Sequence, residues 1–177
     1  TSTWRSATAR PLSSRPLGWQ ALNFERREVG PSSRDLPNGV SEHLVFVSLG
    51  GGRLTRESKG EVVNHELTPG YVAVLPSGHP VRWSWDTRIS FSVLSLEPAF
   101  VERVAQHSFG LPREDVELVF AERMQDPAIS TMVGALAREA VRGDSGSRVY
   151  ADALANILAV HLLRNYSKHP VGSPGRE

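Results

Sequence analysis

Three side chains in the middle of the chain, His65, Glu66 and His79, are of types that bind metal ions. Imidazole nitrogens and carboxylate oxygens bind Fe, Mn, Ni or Zn, and a catalytic site needs about three such ligands converging from neighbouring strands. His65 and Glu66 are adjacent, and adjacent side chains of a β-strand point to opposite faces. We therefore expect His65 and His79 to be turn or surface histidines, and we predict no metal site and no cofactor.

Motifs for nucleophilic catalysis or phosphate binding are missing from the sequence. The chain has no cysteine and no Gly-x-Ser-x-Gly sequence, which argues against a thiolate or an elbow-type serine nucleophile. The run Gly50-Gly51-Gly52 lacks the lysine and hydroxyl residue of a phosphate-binding loop, so it predicts a hairpin turn instead. The sequence therefore predicts a protein that is not an enzyme.

The composition is that of an ordinary globular domain. Of 177 residues, 40% are hydrophobic and 22% charged, and the formal net charge of +1 gives no argument for nucleic-acid binding by these residues. No apolar run approaches the roughly 20 residues of a membrane-spanning helix. Because we also find no apolar leader, we expect a cytoplasmic protein with no membrane partner.

Short apolar segments separated by Gly and Pro predict antiparallel β structure in the first half of the chain. Alternating or β-branched residues predict strands over 19–29, 43–49, 53–58, 61–67, 71–75, 81–85 and 89–96. The segment 30–39 is rich in residues that break strands and predicts a loop. Strands at this spacing are typical of a sandwich or barrel rather than of a parallel α/β sheet.

After residue 97 the period of the apolar residues changes from two to 3.6. Helices are predicted from Pro98 to about residue 107, from Pro127 to residue 143, and from Ser147 to about residue 166. Strands first and helices second predict an α+β fold, in which an N-terminal antiparallel β-barrel precedes about three helices.

Two pairs of residues on neighbouring strands are candidates for a ligand pocket. Trp83 and Trp85 lie two residues apart and share one face of a strand, as do Phe91 and Val93 on the next strand. If these faces point inward, they line an apolar pocket for a small organic molecule. The alternative is ordinary packing of aromatic side chains in the core.

The last predicted helix has a wider apolar arc than one docked face needs. Ala155, Leu158 and Leu162 lie beside the apolar stripe that begins at Tyr150. An exposed side used for helix–helix dimerisation explains this width, and burial of the helix on two sides within the monomer is the alternative. We expect a homodimer through this helix, with Ala155, Leu158 and Leu162 at the contact.

The sequence from Gly70 to Gly78 has the form G-x5-P-x-G, which resembles the backbone part of the cupin signature. Metal-binding cupins place a ligating histidine three residues after the last glycine, where this chain has Val81. Their glutamate ligand falls on Val63, and no His-x-His precedes it. The resemblance therefore implies a cupin barrel without its metal.

Four segments resemble the N-terminal domain of AraC/XylS-type bacterial transcription regulators, over roughly residues 19–167. They are HLVFVSLGG (43–51), LTPGYVAVLPSGHP (67–80), ISFSVLSLEP (89–98) and YADALANILAVHLLRNY (150–166). Many such regulators have Asp where this chain has Tyr71, and we expect no functional consequence of that difference. The resemblance implies a metal-free barrel that binds a small-molecule effector, followed by helices that dimerise.

The same resemblance implies roles for particular residues. It places Trp83, Phe91 and Val93 at the effector, which we expect to be more apolar than a sugar, and it makes Arg34 and His43 candidates for a polar or anionic contact. In this family DNA is bound by a C-terminal pair of helix-turn-helix motifs, which this chain does not contain.

The expected organisation has four parts. Residues 1–16 form a flexible arm, to which the family resemblance gives the role of a lid, 17–97 the cupin-like barrel, 98–167 the helical dimerisation part, and 168–177 a linker. Two alternatives stay open: a metal-dependent cupin enzyme with an atypical site, and a domain that only dimerises because its own side chains fill the barrel.

Overall fold

The structure, a computed structural model, describes residues 12–171. Within this range the strands are β1 Leu12–Ser13, β2 Asn23–Val29, β3 Ser32–Leu36, β4 His43–Gly50, β5 Arg53–Ser58, β6 Glu61–Glu66, β7 Val72–Leu75, β8 Val81–Trp85, β9 Ile89–Leu96 and β10 Ala121–Arg123. The helices are α1 Pro98–Phe109, α2 Pro127–Arg142 and α3 Ser147–Asn165. None of these helices has the length and apolar content needed to span a membrane.

The strands form two antiparallel sheets that face each other. Sheet A has the order β1-β2-β9-β4-β7-β10, and sheet B has the order β3-β8-β5-β6. Between residues 12 and 171, strand pairing does not join the two sheets into a closed barrel. The predicted α+β fold with a jelly-roll arrangement is confirmed, but as two facing sheets, which we call the sandwich.

The segment 30–39 was predicted to be a loop, but it contains the strand β3. This strand pairs along its whole length with β8, from Ser32 opposite Trp85 to Leu36 opposite Val81. Its Ser, Arg and Asp residues have low strand propensity, so tertiary pairing overrides the local preference. The short edge strands β1 and β10 were not predicted either.

The predicted arm, residues 1–16, lies mostly outside the described residues. Its last part forms β1 and the start of a 3-10 turn, Arg15–Leu17. Ser14 is buried, and its Oγ accepts a hydrogen bond from the backbone N–H of Phe24 at 2.8 Å. Residues 12–16 are therefore an edge of sheet A. Of the predicted linker 168–177, residues 172–177 also lie outside the described residues.

The glycine run after β4 is a turn, as predicted. Gly50, Gly51 and Gly52 have φ angles of 123°, 89° and 79°, a region that side chains with a Cβ rarely adopt. A Cβ on Gly52 would also collide with Thr87 and Ile89. The run therefore lets β4 turn sharply into β5 against the loop that precedes β9.

Alternation along the strands creates two separate apolar cores. On β4, Val45 and Val47 point toward the helices, whereas Leu44 and Phe46 point toward sheet B. The core between sheet A and the helices is called the helix core here, and that between the two sheets the sandwich core. A cavity between the sheets is therefore separated from the helices by sheet A.

The helix ends follow the sequence signals with one exception. Asp126 caps α2 by accepting the N–H of Ile129 at 3.1 Å, ahead of Pro127 in the first turn. Ser147, the predicted cap of α3, is instead its first helical residue. Its buried Oγ accepts the indole N–H of Trp19 at 3.1 Å and donates to the carbonyl oxygen of Glu139 at 3.2 Å. Ser147 therefore ties α3 to α2 and to the start of the sandwich.

Helix α3 packs its inner side on the helix core of the same chain. Ala155, Leu158 and Leu162 are each 0% exposed, so these three residues, predicted for the dimer contact, are not on the surface of the monomer. The opposite side of α3 presents Tyr150 and Ile157, which are 47% and 56% exposed. A contact between two copies through α3 therefore requires this outer side.

Candidate functional site

The strand pairings align inward-facing side chains into rows across each sheet. One row of sheet A runs through Glu25, Val93, Phe46, Ala73 and Glu122. The corresponding row of sheet B runs through Arg34, Trp83, Arg56 and Val63. The centre of the sandwich is therefore aromatic and apolar, and charged side chains lie toward its two sides.

The next row lies nearer the end of the sandwich where β4 turns into β5. In sheet A it contains Arg27, Phe91 and Ser48, and the backbone of Ser48 bonds to that of Tyr71 at 2.8 Å. In sheet B it contains Ser32, Trp85, Leu54 and His65. The two rows thus bring aromatic residues from four different strands or their ends into one region.

A small cavity lies between these rows. Its wall is formed by Phe46, Ser48, Leu54, Leu67, Tyr71, Ala73, Trp83, Trp85, Ile89 and Phe91, and its volume is about 50 Å³. The ring of Phe46 meets Trp83 edge-on, with centroids 4.9 Å apart and planes at 81°, and lies 6.0 Å from Phe91. One water needs roughly 10–15 Å³ by a comparable measure, so the cavity has room for a few atoms.

Four of the five residues predicted to bind an effector lie in or beside this region. Trp83 and Phe91 are buried and form part of the cavity wall. Val93 is buried in the same core beside Phe46 but does not line the cavity. Arg34 is the pairing partner of Trp83 on β3, which places it on the inward face of sheet B.

His43 does not belong to this region. It shares a strand face with Val45, which points toward the helices, and its Nδ1 accepts the backbone N–H of Ser77 at 3.0 Å. Burial lowers the pKa of His43 to about 4, so the ring is neutral at pH 7. The structure therefore gives His43 a role in holding the turn after β7, away from the cavity.

Glu122 on β10 is bonded to residues of the opposite sheet. Its Oε2 lies 3.0 Å from the Nε of Arg56 and 2.9 Å from the Nε2 of His65. The Arg56 side chain is only 7% exposed and also reaches Glu61 at 3.4 Å. Because β10 lies in the connection between α1 and α2, this ion pair fastens that connection across the sandwich.

Tyr71 lies between this ion pair and the cavity. It forms part of the cavity wall, and its buried hydroxyl lies within hydrogen-bonding reach of the Glu122 carboxylate. The rings of His65 and Tyr71 are 5.2 Å apart, and His65 Nε2, although 2.9 Å from Glu122, is not aligned for a hydrogen bond. Burial, and after it the nearby Glu122 carboxylate, raise the pKa of Tyr71 above its ordinary value.

A second charged cluster lies on the other side of the sandwich. The Glu25 carboxylate lies 2.7 Å from Arg27 Nη2 and 3.0 Å from Arg15 Nε. Arg27 is the pairing partner of Phe91, so a guanidinium lies beside an aromatic residue of the cavity wall. The cavity is thus flanked by carboxylate–guanidinium pairs on both sides.

The connection between α1 and α2 covers the opposite end of sheet B. Phe120 stacks on His79, with ring centroids 4.9 Å apart and planes at 7°, and the Arg56 guanidinium lies 5.1 Å from the Phe120 ring. Ser58 Oγ donates to the carbonyl of Pro80 at 2.9 Å, so its contact with His79 Nε2 at 3.2 Å uses the imidazole N–H as donor. Ser58 is therefore not activated by His79 as a nucleophile.

An open cleft of about 690 Å³ lies beside Ser58 and His79, and its wall mixes basic, acidic and apolar side chains.

The candidate metal ligands are apart from one another. Within residues 12–171 no group of three His, Cys, Asp or Glu side chains is placed to hold a metal ion. His79 lies in a turn, as predicted, and Glu66 is exposed. His65 differs from the prediction: it is a half-buried residue of β6 paired with Glu122, because pairing of β5 with β6 turns it inward beside Leu54.

Phe46, Tyr71 and Glu122 are among the residues of the site that sequence reasoning missed. Phe46 shares its strand face with Leu44 and alternates with Val45 on β4, so its inward direction follows from the strand period once one face is known. Tyr71 follows the glycine turn directly, a position from which a side chain enters the cavity. Glu122 gives no signal in the sequence, because its position depends on the pairing of β10 with β7.

The fold is similar to those of solved bacterial regulators. Similar structures include ToxT from Vibrio cholerae, with a TM-score of 0.57, 11% identity, and coverage of 89% of this chain and 61% of ToxT. Another is the AraC-like transcriptional activator CuxR, with a TM-score of 0.52, 11% identity, and coverage of 88% of this chain and 56% of CuxR. At these identities the similarity shows a shared fold, and this chain matches less than two thirds of either structure.

A third similar structure contains an organic ligand. It is ToxT from Vibrio cholerae O395 bound to (E)-4-(8-methylnaphthalen-1-yl)but-3-enoic acid, with a TM-score of 0.56, 11% identity, and coverage of 83% of this chain and 58% of that chain. No protein-family model matches the chain, and no curated protein matches it. The similarity of this chain to known proteins is therefore seen in the comparison of structures and not in the comparison of sequences.

Proposed function

We propose that this chain is the effector-binding and dimerisation part of an AraC-like transcription regulator. A small organic molecule binds between the two sheets, a second copy packs against α3, and DNA is bound by a part of the regulator outside this chain. The protein acts in the cytoplasm and carries out no reaction. The observation that carries the proposal is the cavity walled by Phe46, Trp83 and Phe91 in a fold similar to that of an AraC-like activator.

The chemistry of the cavity wall supports an apolar effector. Five aromatic side chains line it, four of them from β4, β8 and β9, and four aliphatic side chains complete most of the rest of the wall. Small-molecule sites are typically lined by apolar and aromatic side chains with a few polar groups. The ToxT complex shows an aromatic acid bound to a protein of this fold, which supports the same class of molecule here.

The size of the cavity determines how an effector binds. A volume of about 50 Å³ is below the roughly 150 Å³ of a protein cavity that holds benzene. A ring-sized effector therefore requires the rings of Phe46, Trp83 or Phe91 to move apart. Such a ligand favours the expanded conformation, and this difference in affinity is what allows binding to switch the protein.

The small cavity also supports a second candidate function. A domain whose sandwich is filled by its own side chains needs no effector and serves only to dimerise. Ligand sites usually have volumes of roughly 300–1,000 Å³. The cavity of about 50 Å³ is closer to a packed core than to such a site.

The dimerisation part of the proposal uses the outer side of α3. Tyr150 and Ile157 lie at helical spacing on the exposed side of the helix, and the half-buried Leu154 lies between them and the helix core. Apolar side chains at this spacing are the pattern of helix–helix contacts. Two copies packed through this side bury residues that are exposed in the monomer.

A thermal-shift screen of sugars, aromatic acids and other small metabolites tests effector binding. A specific ligand raises the melting temperature in a concentration-dependent way. Ala73→Val places extra methyl groups in the cavity, so the ligand should no longer raise the melting temperature of this variant. Ala137→Val, in the helix core, lowers the melting temperature without ligand, but the ligand should still raise it as much as in the wild type. If no compound stabilises the protein, or if Ala73→Val keeps the full shift, the effector proposal is wrong. The dimerisation-only function then takes its place.

A further inference from the structure

Two spaces meet at the end of the sandwich where β4 turns into β5. The first is the cavity of about 50 Å³ between the sheets. The second is an open cleft of about 500 Å³, whose wall includes Gly52, Arg53, Leu67, Asp86 and Thr87. Among the wall residues that the structure describes, only Leu67 lines both spaces, so its side chain lies between them.

The chain runs directly from the cavity into the cleft on two paired strands. Leu54 on β5 and Trp85 on β8 are pairing partners, and both line the cavity. Their chain neighbours Arg53 and Asp86 are exposed and line the cleft. The polar wall of the cleft therefore begins one residue beyond the apolar wall of the cavity.

The backbone that carries Leu67 is anchored on both sides. The N–H of Leu67 donates to the carbonyl oxygen of Gly52 at 3.0 Å. Three residues later, the N–H of Gly70 donates to the carbonyl oxygen of Ser48 at 2.9 Å. Because these bonds hold the backbone in place, a passage between the cavity and the cleft opens by rotation of the Leu67 side chain from one rotamer to another.

We propose that Leu67 is the gate of the effector site and that the effector has one apolar end and one polar end. The apolar end passes Leu67 into the cavity, whose surface is almost entirely carbon, and the polar end stays in the open cleft. The class of ligand is thus a small ring compound with its polar group at one end only. This inference rests on the proposed effector function.

The hydroxyl groups of the cavity wall are engaged by other partners. The Oγ of Ser48 accepts the N–H of Gly50 at 3.1 Å, and the Tyr71 hydroxyl lies within hydrogen-bonding reach of the Glu122 carboxylate. A ligand with a second polar group at its inner end therefore gives up hydrogen bonds to water without gaining them from these hydroxyls. Burying such a group is unfavourable.

The matched probes 4-methylphenol and hydroquinone test the class of ligand. Each has a hydroxyl at one end of a benzene ring, and they differ in a methyl group against a second hydroxyl at the other end. We expect the protein to bind 4-methylphenol about tenfold more tightly than hydroquinone in NMR titrations, because only the methyl end suits the cavity.

The exchange of phenol, the smallest compound of this class, tests the gate. Leu67→Ala removes most of the side chain between the two spaces, so phenol should enter and leave about tenfold faster than in the wild type, as measured by NMR relaxation dispersion. Leu44→Ala is the matched control, because Leu44 is a similarly buried leucine of the sandwich core that does not line the cavity. It should keep the exchange rates of the wild type.

The possible results separate this inference from the proposed function. Binding of hydroquinone that equals or exceeds that of 4-methylphenol would overturn the assignment of the apolar end. Exchange in Leu67→Ala that is no faster than in Leu44→Ala would overturn the gate, and the milder Leu67→Val serves in the same comparison if Leu67→Ala does not fold. In both cases ligand binding between the sheets stands. If none of the three compounds shifts the resonances of cavity residues, this inference and the effector proposal fail together.

Discussion

The Oε2 of Glu122 lies 3.0 Å from the Nε of Arg56, and these two residues belong to different sheets. Glu122 is on β10, which lies between α1 and α2, whereas Arg56 is on the central strand pair of sheet B. The bond therefore connects the helical part of the chain to the far sheet, beside the cavity residue Tyr71.

Removing Glu122 should destabilise the fold strongly. Glu122→Leu leaves the Arg56 guanidinium buried and paired only with the exposed Glu61, which costs about 3 kcal/mol of unfolding free energy. Urea denaturation measures this cost. The double variant Arg56→Leu/Glu122→Leu removes the buried charge as well and should be more stable than Glu122→Leu alone.

A surface ion pair supplies the control for this prediction. Glu28 lies 2.6 Å from Arg88, and both side chains are largely exposed. Glu28→Leu should therefore cost less than about 1 kcal/mol. A cost for Glu122→Leu that is no larger than this would show that the Glu122–Arg56 bond does not hold the two sheets together.

His43 should make stability depend on pH between about 6.5 and 4. Burial lowers the pKa of His43 in the folded state to about 4, so the unfolded chain binds this proton first as the pH falls. The stabilisation is therefore complete above about pH 6.5 and decreases toward pH 4, with a loss of about 2 kcal/mol by pH 5. Urea denaturation at pH 7 and pH 5 measures it.

Two variants check the assignment to His43. His43→Gln keeps an acceptor for the Ser77 N–H but cannot be protonated, so it should lose about 2 kcal/mol less than the wild type between pH 7 and pH 5. His169→Gln changes an exposed histidine and should behave like the wild type. An unchanged pH profile in His43→Gln would contradict the burial of a neutral ring.

Asp126 should contribute stability that disappears in acid. Burial works against its charge, but hydrogen bonds from Tyr166, His161 and the Ile129 N–H outweigh it, so the pKa of Asp126 is lowered. Its contribution is present above the unfolded value of about 3.9 and is lost as the pH falls through the lower folded value. At pH 6 the wild type should exceed Asp126→Asn by about 2 kcal/mol, and this gap should shrink below about pH 4.

The outer side of α3 should control the oligomeric state. Ile157→Glu places a charge in the proposed contact and should convert a dimer to a monomer, as measured by analytical ultracentrifugation. Val141→Glu is the matched control, because Val141 is also an exposed apolar residue, on α2. A wild-type monomer, or a dimer that survives Ile157→Glu, would refute the contact through α3.

Most strands and all three helices could be predicted because their signals lie in consecutive residues of the sequence. Alternation on β4 and β9, and the proline-led starts of α1 and α2, are written in consecutive residues. The strand β3 was missed because its Ser-Ser-Arg-Asp sequence becomes a strand only through pairing with β8. The residues predicted for the dimer contact lie on the buried side of α3 because the apolar arc alone does not say which side of the helix packs on α1 and α2.

The site was predicted only in part for the same reason. Trp83 and Phe91 were candidates for a pocket wall if their strand faces point inward, and both line the cavity. That they bind an effector stays a prediction. The position of His43 on the opposite face required knowing which face of β4 points inward. Tyr71 and Glu122 are separated along the chain by β7, β8, β9 and α1, and no pattern in consecutive residues encodes their contact.

The three isoleucines of the chain allow a direct test of the central claim that an effector binds between the sheets. Ile89 lines the cavity, Ile129 is buried in the helix core, and Ile157 is exposed on α3. Methyl NMR of isoleucine-labelled protein, titrated with phenol, reads all three positions at once. We predict that the Ile89 methyl resonance shifts with saturation while the Ile157 resonance does not shift. Saturable shifts confined to Ile129 or Ile157, with Ile89 unchanged, would contradict the account.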